Sequence, residues 1–254
     1  LIGSTHIGKV ILITGAGRGI GAATARLAAT RGYTVGVNYR SNEEAAEATV
    51  AEIRAAGGHA QAVRADVSSE PEIVRMFETI DRELGPLAAL VNNAGILERQ
   101  ARLEETDGAR LARILATNVT GSFLCAREAV RRMSIRHGGS GGSIVNVSSR
   151  AAVLGAPGEY IDYAASKGAI DTLTIGLSKE VAEEGIRVNA VRPGFIYTEM
   201  HASGGEPNRV DRVKAFVPMK RGGHAEEVAN AILWLLSDEA SYATGTFIDL
   251  AGGR

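Results

Sequence analysis

The chain has 254 residues, 45% hydrophobic and 22% charged, which suits one α/β domain with a full core. A net charge of −1 excludes a basic footprint for nucleic acid and a bulk pull toward acidic membranes. The single cysteine, Cys125, excludes an internal disulfide and is compatible with a reducing compartment.

Taken in order, the residues alternate strand and helix. Val10 to Ile13 is a buried-type strand running into Thr14-Gly15-Ala16-Gly17-Arg18-Gly19-Ile20-Gly21 and an Ala-rich helix to about Thr30. Tyr33 to Tyr39 is a strand, and Glu43 to Ala56 a helix stopped by Gly57-Gly58. Ala60 to Ala65 is a strand ending at Asp66, followed by a helix from Pro71 to Leu84. Leu87 to Val91 is the next strand, closed by Asn92-Asn93-Ala94-Gly95. A long helix covers Leu111 to Met133, and Ser143 to Val147 forms the fifth strand. A helix from Ile161 to Glu184 leads to the strand Arg187 to Val191 and then Pro193-Gly194. Residues 197–224, rich in Gly, Pro and charge, read as a mobile lid with a short helix. Ala225 to Leu236 is the last helix and Thr246 to Leu250 the last strand. Strands joined through helices predict a single-domain α/β fold over 1–254, a doubly wound parallel sheet with right-handed crossovers. No stretch reaches the roughly 18 uninterrupted apolar residues of a transmembrane helix. Residues 1 to 8 lack the charged-then-apolar pattern of a signal peptide.

Two stretches carry chemistry. Gly15, Gly19 and Gly21 follow a strand and open a helix, where small residues let the backbone approach a pyrophosphate and the helix N-terminus supplies amides. The spacing is Gly-x-x-x-Gly-x-Gly, and in isolation it is also explained by tight turning. Further on, Tyr163 and Lys167 stand one helical turn apart on one face. An ammonium beside a phenol lowers the phenol's pKa, and a phenol so tuned exchanges protons near neutral pH. Ser148 and Ser149 end the preceding strand, where their hydroxyls would face the same reacting group. The bland alternative for Tyr163 and Lys167 is an amphipathic helix with one packing Tyr and one surface Lys.

Thr14 to Gly21, Asp66-Val67, Asn92 to Gly95, Asn118, Ser149, Tyr163-x-x-x-Lys167 and Pro193-Gly194 occur in the order of the short-chain dehydrogenase/reductase family. Nearly the whole chain resembles a classical-type member, similar to 3-oxoacyl-[acyl-carrier-protein] reductases and glucose 1-dehydrogenase-like oxidoreductases. The gap from Ser149 to Tyr163 is one residue longer than the commonest family spacing, with the extra residue in Ala156 to Ile161. The resemblance implies a Rossmann-type sheet with helices on both faces and a cytoplasmic enzyme. It makes Tyr163 the general acid of reduction, with Lys167 lowering its pKa and holding the nicotinamide ribose. Ser149 would polarise the substrate oxygen, and Asn118 would bind a water in a proton relay toward Lys167. A helix-bending Asn satisfied by local backbone is the other reading of Asn118. Asp66, with Val67, would hydrogen-bond the adenine amino group, although an Asp after a strand often just makes a turn. Asn92, Ala94 and Gly95 would support the adenosine side. Ile196 and Thr198, after Pro193-Gly194, would contact the nicotinamide carboxamide. Gly15, Gly19, Ile20 and Gly21 would cradle the diphosphate.

Charge bears on which nicotinamide cofactor is used. Enzymes selective for NAD tend to place an acid against the adenine-ribose hydroxyls after the second strand. Here that stretch is Asn38-Tyr39-Arg40-Ser41-Asn42, with no acid. Arg40 would pair with a 2′-phosphate and Arg18 would add a second cation, so NADP is expected over NAD. The run Arg131-Arg132-Met133-Ser134-Ile135-Arg136-His137 suits a solvated helix end, and its sharper reading is a dock for an acidic acyl carrier protein. The five His residues, at 6, 59, 137, 201 and 224, show no metal-ligand spacing, and no metal is expected. Small and apolar residues on 111–133 and 161–184, among them Ala164, Ala165, Gly168, Ala169 and Gly176, suggest close helix approach. With the family's habit of pairing there, a homotetramer is expected. A non-catalytic nicotinamide-binding regulator or scaffold on the same fold is the alternative to an enzyme acting on a carbonyl or secondary alcohol.

Overall fold

Short β-branched runs alternate with amphipathic stretches, and each run becomes a strand of one parallel sheet. The computed structural model describes residues 8–254; His6 and all of the leading segment except Gly8 lie outside them. The strands are β1 (Val10–Ile13), β2 (Thr34–Tyr39), β3 (His59–Arg64), β4 (Leu87–Asn92), β5 (Gly142–Val147), β6 (Ile186–Pro193) and β7 (Phe247–Leu250). Between them run α1 (Gly19–Thr30), α2 (Glu43–Ala55), α3 (Glu70–Glu83), α4 (Gly108–Leu115), α5 (Gly121–Met133), α6 (Ala151–Leu154) and α7 (Ile161–Glu180). The chain closes with α8 (Met200–Ser203), α9 (Arg209–Val213) and α10 (Ala225–Leu236).

The sheet order is β3-β2-β1-β4-β5-β6-β7, parallel throughout. Both faces are covered, as a parallel sheet requires. Ile11, Ile13, Val35 and Val37 pack with Ala28 of α1, Val50 of α2 and Ile232 of α10 on one face. Val10, Leu12, Leu90 and Ile144 pack with Phe77 of α3 and Ala129 of α5 on the other. The alternation along each strand sends successive side chains to opposite cores. Strand order reverses between β1 and β4, which opens a crevice at their carboxyl ends.

Three departures from the expected elements matter for the site. The long helix starts at Gly108 and is interrupted by a π turn, Ala116–Thr120. The π turn contains Asn118, which is fully buried. Gly121 follows it, and a methyl group there would lie 2.5 Å from the Val67 carbonyl, so the arm packs directly on the end of β3. A short helix, α6, follows β5 and was not anticipated. Between α6 and α7 the backbone is left-handed at Gly155, Ala156 and Gly158, and this turn takes up the extra residue before Tyr163. Residues 197–224 hold α8, α9 and a 3-10 turn, Lys214–Phe216, rather than one short helix. Buried Arg209 fastens this segment, pairing with Glu159 and Glu206 and lying over the rings of Tyr160 and Phe195.

Candidate active site

The glycine-rich turn after β1 is stapled to the turn after β4. Thr14 Oγ1 accepts the amides of Asn93 and Ala94, each at 3.0 Å. Asn93 Nδ2 donates to the carbonyls of Thr14 and Gly15 at 2.9 and 3.0 Å. Gly15 and Gly19 have φ of 63° and 54°, a left-handed backbone that favours glycine. Gly21 serves close packing: a methyl group there would stand 2.5 Å from the Gly15 carbonyl and 2.6 Å from Asn93 Nδ2. Gly21→Ala is therefore expected to destabilise the fold by about 1–3 kcal/mol through overpacking. Thermal unfolding of the variant checks this; an unchanged Tm would mean the staple yields freely.

A cleft of about 540 Å³ opens over this turn. Gly15, Arg18, Gly19 and Ile20 form its floor, and Tyr39, Arg40 and Ser41 one end. Asp66 and Val67 line it from β3, Ala94 and Gly95 from β4, and Thr198 from beyond β6. Asp66 also closes a local turn, accepting the Ser68 amide at 2.9 Å and hydroxyl at 2.7 Å. Arg18 and Arg40 are exposed, and their side chains form no ion pair among the described residues. No acid ends β2; Tyr39 does, and Asn38 before it accepts the Gly15 amide through Oδ1 at 3.1 Å. The glycine cradle, the helix N-terminus and the free guanidiniums fit a dinucleotide with its diphosphate on α1.

At the inner end, Gly95 covers Asn118 and Lys167: a methyl on Gly95 would lie 3.4 Å from Asn118 Oδ1 and 3.6 Å from Lys167 Nζ. Lys167 is buried and its Nζ donates to the Val147 carbonyl at 2.7 Å. The ammonium lies 5.6 Å from the centre of the Tyr163 ring. Ser149 stands beside Tyr163 and acts to lower the pKa of its phenol. Ser148 points elsewhere, donating to Asp171 Oδ1 at 2.6 Å, so Ser149 is the serine brought to Tyr163. Asn118 clamps Ile96, accepting its amide at 2.8 Å and donating to its carbonyl at 3.1 Å. Its Nδ2 also donates to the Ser166 hydroxyl at 3.1 Å, so the side chain joins the loop after Gly95 to α7 rather than bonding its own turn.

Desolvation works against the expected tuning of the half-buried phenol. It pushes Tyr163 up to about 12, opposed only by Ser149. Lys167 is no fully exposed ammonium either: burial draws it down to about 8, against the charge of Asp171. A buried thiol behaves likewise, and burial raises Cys125 to about 12, leaving it inert.

Some sequence-predicted residues stand behind the cleft wall. Asn92 turns into the core, donating to Asn146 Oδ1 at 2.9 Å and the Ser122 carbonyl at 3.2 Å. Its neighbour Asn93 lines the cleft instead. Gly21, Pro193, Gly194 and Ile196 do not line it, and Asn118, Ser149, Tyr163 and Lys167 lie behind its wall at Gly95; Ile196 is buried and Gly194 packs on Ala251. Leu97, Glu199, Met200 and Ser203 line it and were missed, although their place just beyond strand ends was a usable signal. The basic run after α5 is not a free patch: Arg131 and Arg132 pair with Glu128, Arg132 also with Asp81, and Arg136 with Glu184. It also precedes β5, so it lies a strand length from the cleft, about 20 Å. Among the described residues, no three His, Cys, Asp or Glu side chains come together to hold a metal ion.

Fold and cleft together define a doubly wound dinucleotide-binding protein with a Ser-Tyr-Lys cluster behind the Gly95 wall of its cleft. Residues 15–254 match a family profile described as "Enoyl-(Acyl carrier protein) reductase". "Uncharacterized oxidoreductase YgfF" of Escherichia coli is 66% identical, with 96% of this chain and 99% of that one covered. A "3-oxoacyl-[acyl-carrier-protein] reductase" of Synechocystis is 39% identical, covering 96% of each chain. A crystal structure of a dehydrogenase/reductase from Sinorhizobium meliloti superposes with a TM-score of 0.91 at 33% identity, over 98% of this chain and 96% of that one. The chain belongs to the short-chain dehydrogenase/reductase family, and it is an oxidoreductase of the class that binds NAD or NADP.

Proposed function

We propose that the protein is an NADP-dependent enzyme that reduces a small carbonyl compound to a secondary alcohol, with Tyr163 as proton donor. The observation that carries this reading is the grouping of Ser149, Tyr163 and Lys167 directly behind Gly95, which lines one part of a cleft whose other part holds unpaired Arg18 and Arg40. The cofactor, when bound, supplies the hydride. Gly15, Gly19 and Ile20 hold its diphosphate, Arg18 and Arg40 its 2′-phosphate, and Asp66, Val67, Ala94 and Gly95 its adenosine side. Lys167 and Thr198 hold the nicotinamide half. Ser149 polarises the substrate oxygen, and Tyr163 passes its proton to it. A phenol held near 12 keeps that proton at neutral pH, yet gives it readily to a far more basic alkoxide.

Residues 197–224 act as the substrate lid. Leu97 and Met200 give the cleft an apolar side, which favours a 3-oxoacyl or similar ketone over a sugar. A carrier-linked substrate would enter past the lid. The protein acts in the cytoplasm as a homotetramer. Leu111, Leu115, Phe123, Ile161 and Ile175 are exposed along the α4–α5 arm and α7, with open space over Gly168 and Gly176. Ala164, by contrast, turns inward. Light scattering tests the tetramer, and a monomer at micromolar concentration would remove it.

The class is tested by a panel of ethyl 3-oxobutanoate, a 3-oxoacyl thioester and D-glucose, each with NADPH or NADH, or with the oxidised forms for the sugar, followed by nicotinamide absorbance. The expected result is fastest turnover of the oxoester with NADPH. Cofactor binding without turnover of any member would favour the regulator or scaffold reading.

Lys167 sets a pH dependence. With its pKa drawn down to about 8, the ammonium is intact below that value and lost above it. NADPH affinity of the free protein is therefore expected to fall as pH rises through about 8. Fluorescence titration across that range checks it, with Lys167→Ala weak throughout and without the step. Stability runs the other way: the unfolded chain binds more protons between about 8 and 10.5, so the Lys167 contribution improves with pH in that window.

A further inference from the structure

Arg110 is an arginine placed inside the fold, only 9% exposed. All three arms of its guanidinium are used. Nε donates to Asp162 Oδ2 at 2.6 Å and Nη2 to Asp162 Oδ1 at 3.3 Å, a fork on one buried carboxylate. Nη1 donates to the Arg99 carbonyl at 2.6 Å. Asp162 is the residue before Tyr163, and its Oδ1 also accepts the Tyr163 amide at 2.8 Å. Burial acts to raise the Asp162 carboxyl, but the hydrogen bonds from Arg110 and the Tyr163 amide hold it below its ordinary value.

The arrangement brackets Tyr163. Its amide is fixed by Asp162, and its carbonyl accepts the Ser166 hydroxyl at 2.7 Å. Both anchors are tied to the α4 and π-turn arm, Asp162 through Arg110 and Ser166 through Asn118 Nδ2 at 3.1 Å. The same arm holds the loop after Gly95 by Asn118 on Ile96 and Arg110 on Arg99, with Arg113 paired to Glu98 at 2.8 Å. Ile96 and Leu97 of that loop line the cleft. A single guanidinium therefore joins the start of the Tyr163 helix to the wall facing it.

We propose that Arg110 and Asp162 are positioning residues for carbonyl reduction, an inference that rests on Tyr163 being the proton donor: the pair fixes the gap between Tyr163 and the wall at Ile96 and Leu97 in which the carbonyl is held. Neither residue lines the phosphate or adenosine parts of the cleft. The pair governs substrate turnover and not cofactor affinity. Loss of near-attack geometry by about 1 Å costs rate by up to 10²-fold, whereas a buried ion pair replaced by apolar side chains often costs no stability.

The test compares wild type, Arg110→Lys, Arg110→Met/Asp162→Leu and Tyr163→Phe. Readouts are kcat and KM for ethyl 3-oxobutanoate, NADPH affinity by fluorescence, and Tm. Arg110→Lys keeps the charge but loses the fork, and its kcat/KM is expected to fall roughly ten- to a hundred-fold with NADPH affinity unchanged. The apolar double variant is expected to keep its Tm and show the same kinetic loss. Wild-type kcat/KM in the folded double variant would overturn the proposal, because the pair would then only hold the fold. So would an Arg110→Lys loss that merely tracks NADPH affinity. If the double variant does not fold, Arg110→Lys assayed well below its Tm decides. Wild-type turnover in Tyr163→Phe, a separate result, would remove the reading on which the pair rests.

Discussion

Tyr163→Phe is expected to lose turnover by at least the ~10²–10⁴-fold typical of removing a general acid. The substitution keeps the ring and its packing and deletes one hydroxyl, which Ser149 stands beside. NADPH affinity should stay near wild type, because Lys167 keeps its hydrogen bond to the Val147 carbonyl and its place beneath Gly95. Steady-state kinetics and fluorescence titration on one preparation separate the two effects. Near-normal turnover would remove Tyr163 as the proton donor. Equal losses of turnover and affinity would make it a cofactor contact instead.

Arg40→Ala is expected to weaken NADP binding by roughly ten- to a hundred-fold, the worth of a charge-assisted hydrogen bond to phosphate. Arg40 is exposed just past the end of β2, where the stretch Asn38 to Asn42 carries no acid. Arg64 adds positive charge at the same corner, its Nε donating to the Arg40 carbonyl at 3.4 Å. NAD lacks the 2′-phosphate and should bind the variant almost as before. The NADP loss should shrink at high salt, since exposed pairs are screened. Placing Asp at Tyr39 as well should repel the phosphate and shift preference further toward NAD. Titration of both proteins with both cofactors at low and high salt decides it. A wild-type preference for NAD, or equal weakening of both cofactors, would end the assignment of Arg40 as phosphate reader.

The fold was legible because β-branched runs break at turn-forming residues, such as Gly15, Asp66 and Asn93 to Gly95. Element ends moved by a few residues, as local hydrogen bonding rather than pattern sets them. Parity was harder. Asn92 and Asn93 adjoin, but at a strand end neighbours point opposite ways, so one packs in the core and the other staples the glycine turn. Ser148 and Ser149 divide in the same manner, between Asp171 and Tyr163. The π turn was invisible because α and π turns share one apolar pattern over a few residues. The Tyr163 environment was half legible: adjacency to Lys167 can be read along a helix, whereas desolvation cannot. Arg110 and Asp162 stand 52 positions apart, and only the folded arm brings them together.

The central claim is hydride transfer to a carbonyl assisted by Tyr163. Its most direct test is a single-turnover reaction of ethyl 3-oxobutanoate with NADPH deuterated at the transferring nicotinamide carbon, the product analysed by mass spectrometry. The predicted result is one deuterium on the carbinol carbon with wild type, and a signal lost with Tyr163→Phe while the cofactor still binds. An unlabelled product, or equal labelling by both proteins, would contradict the account.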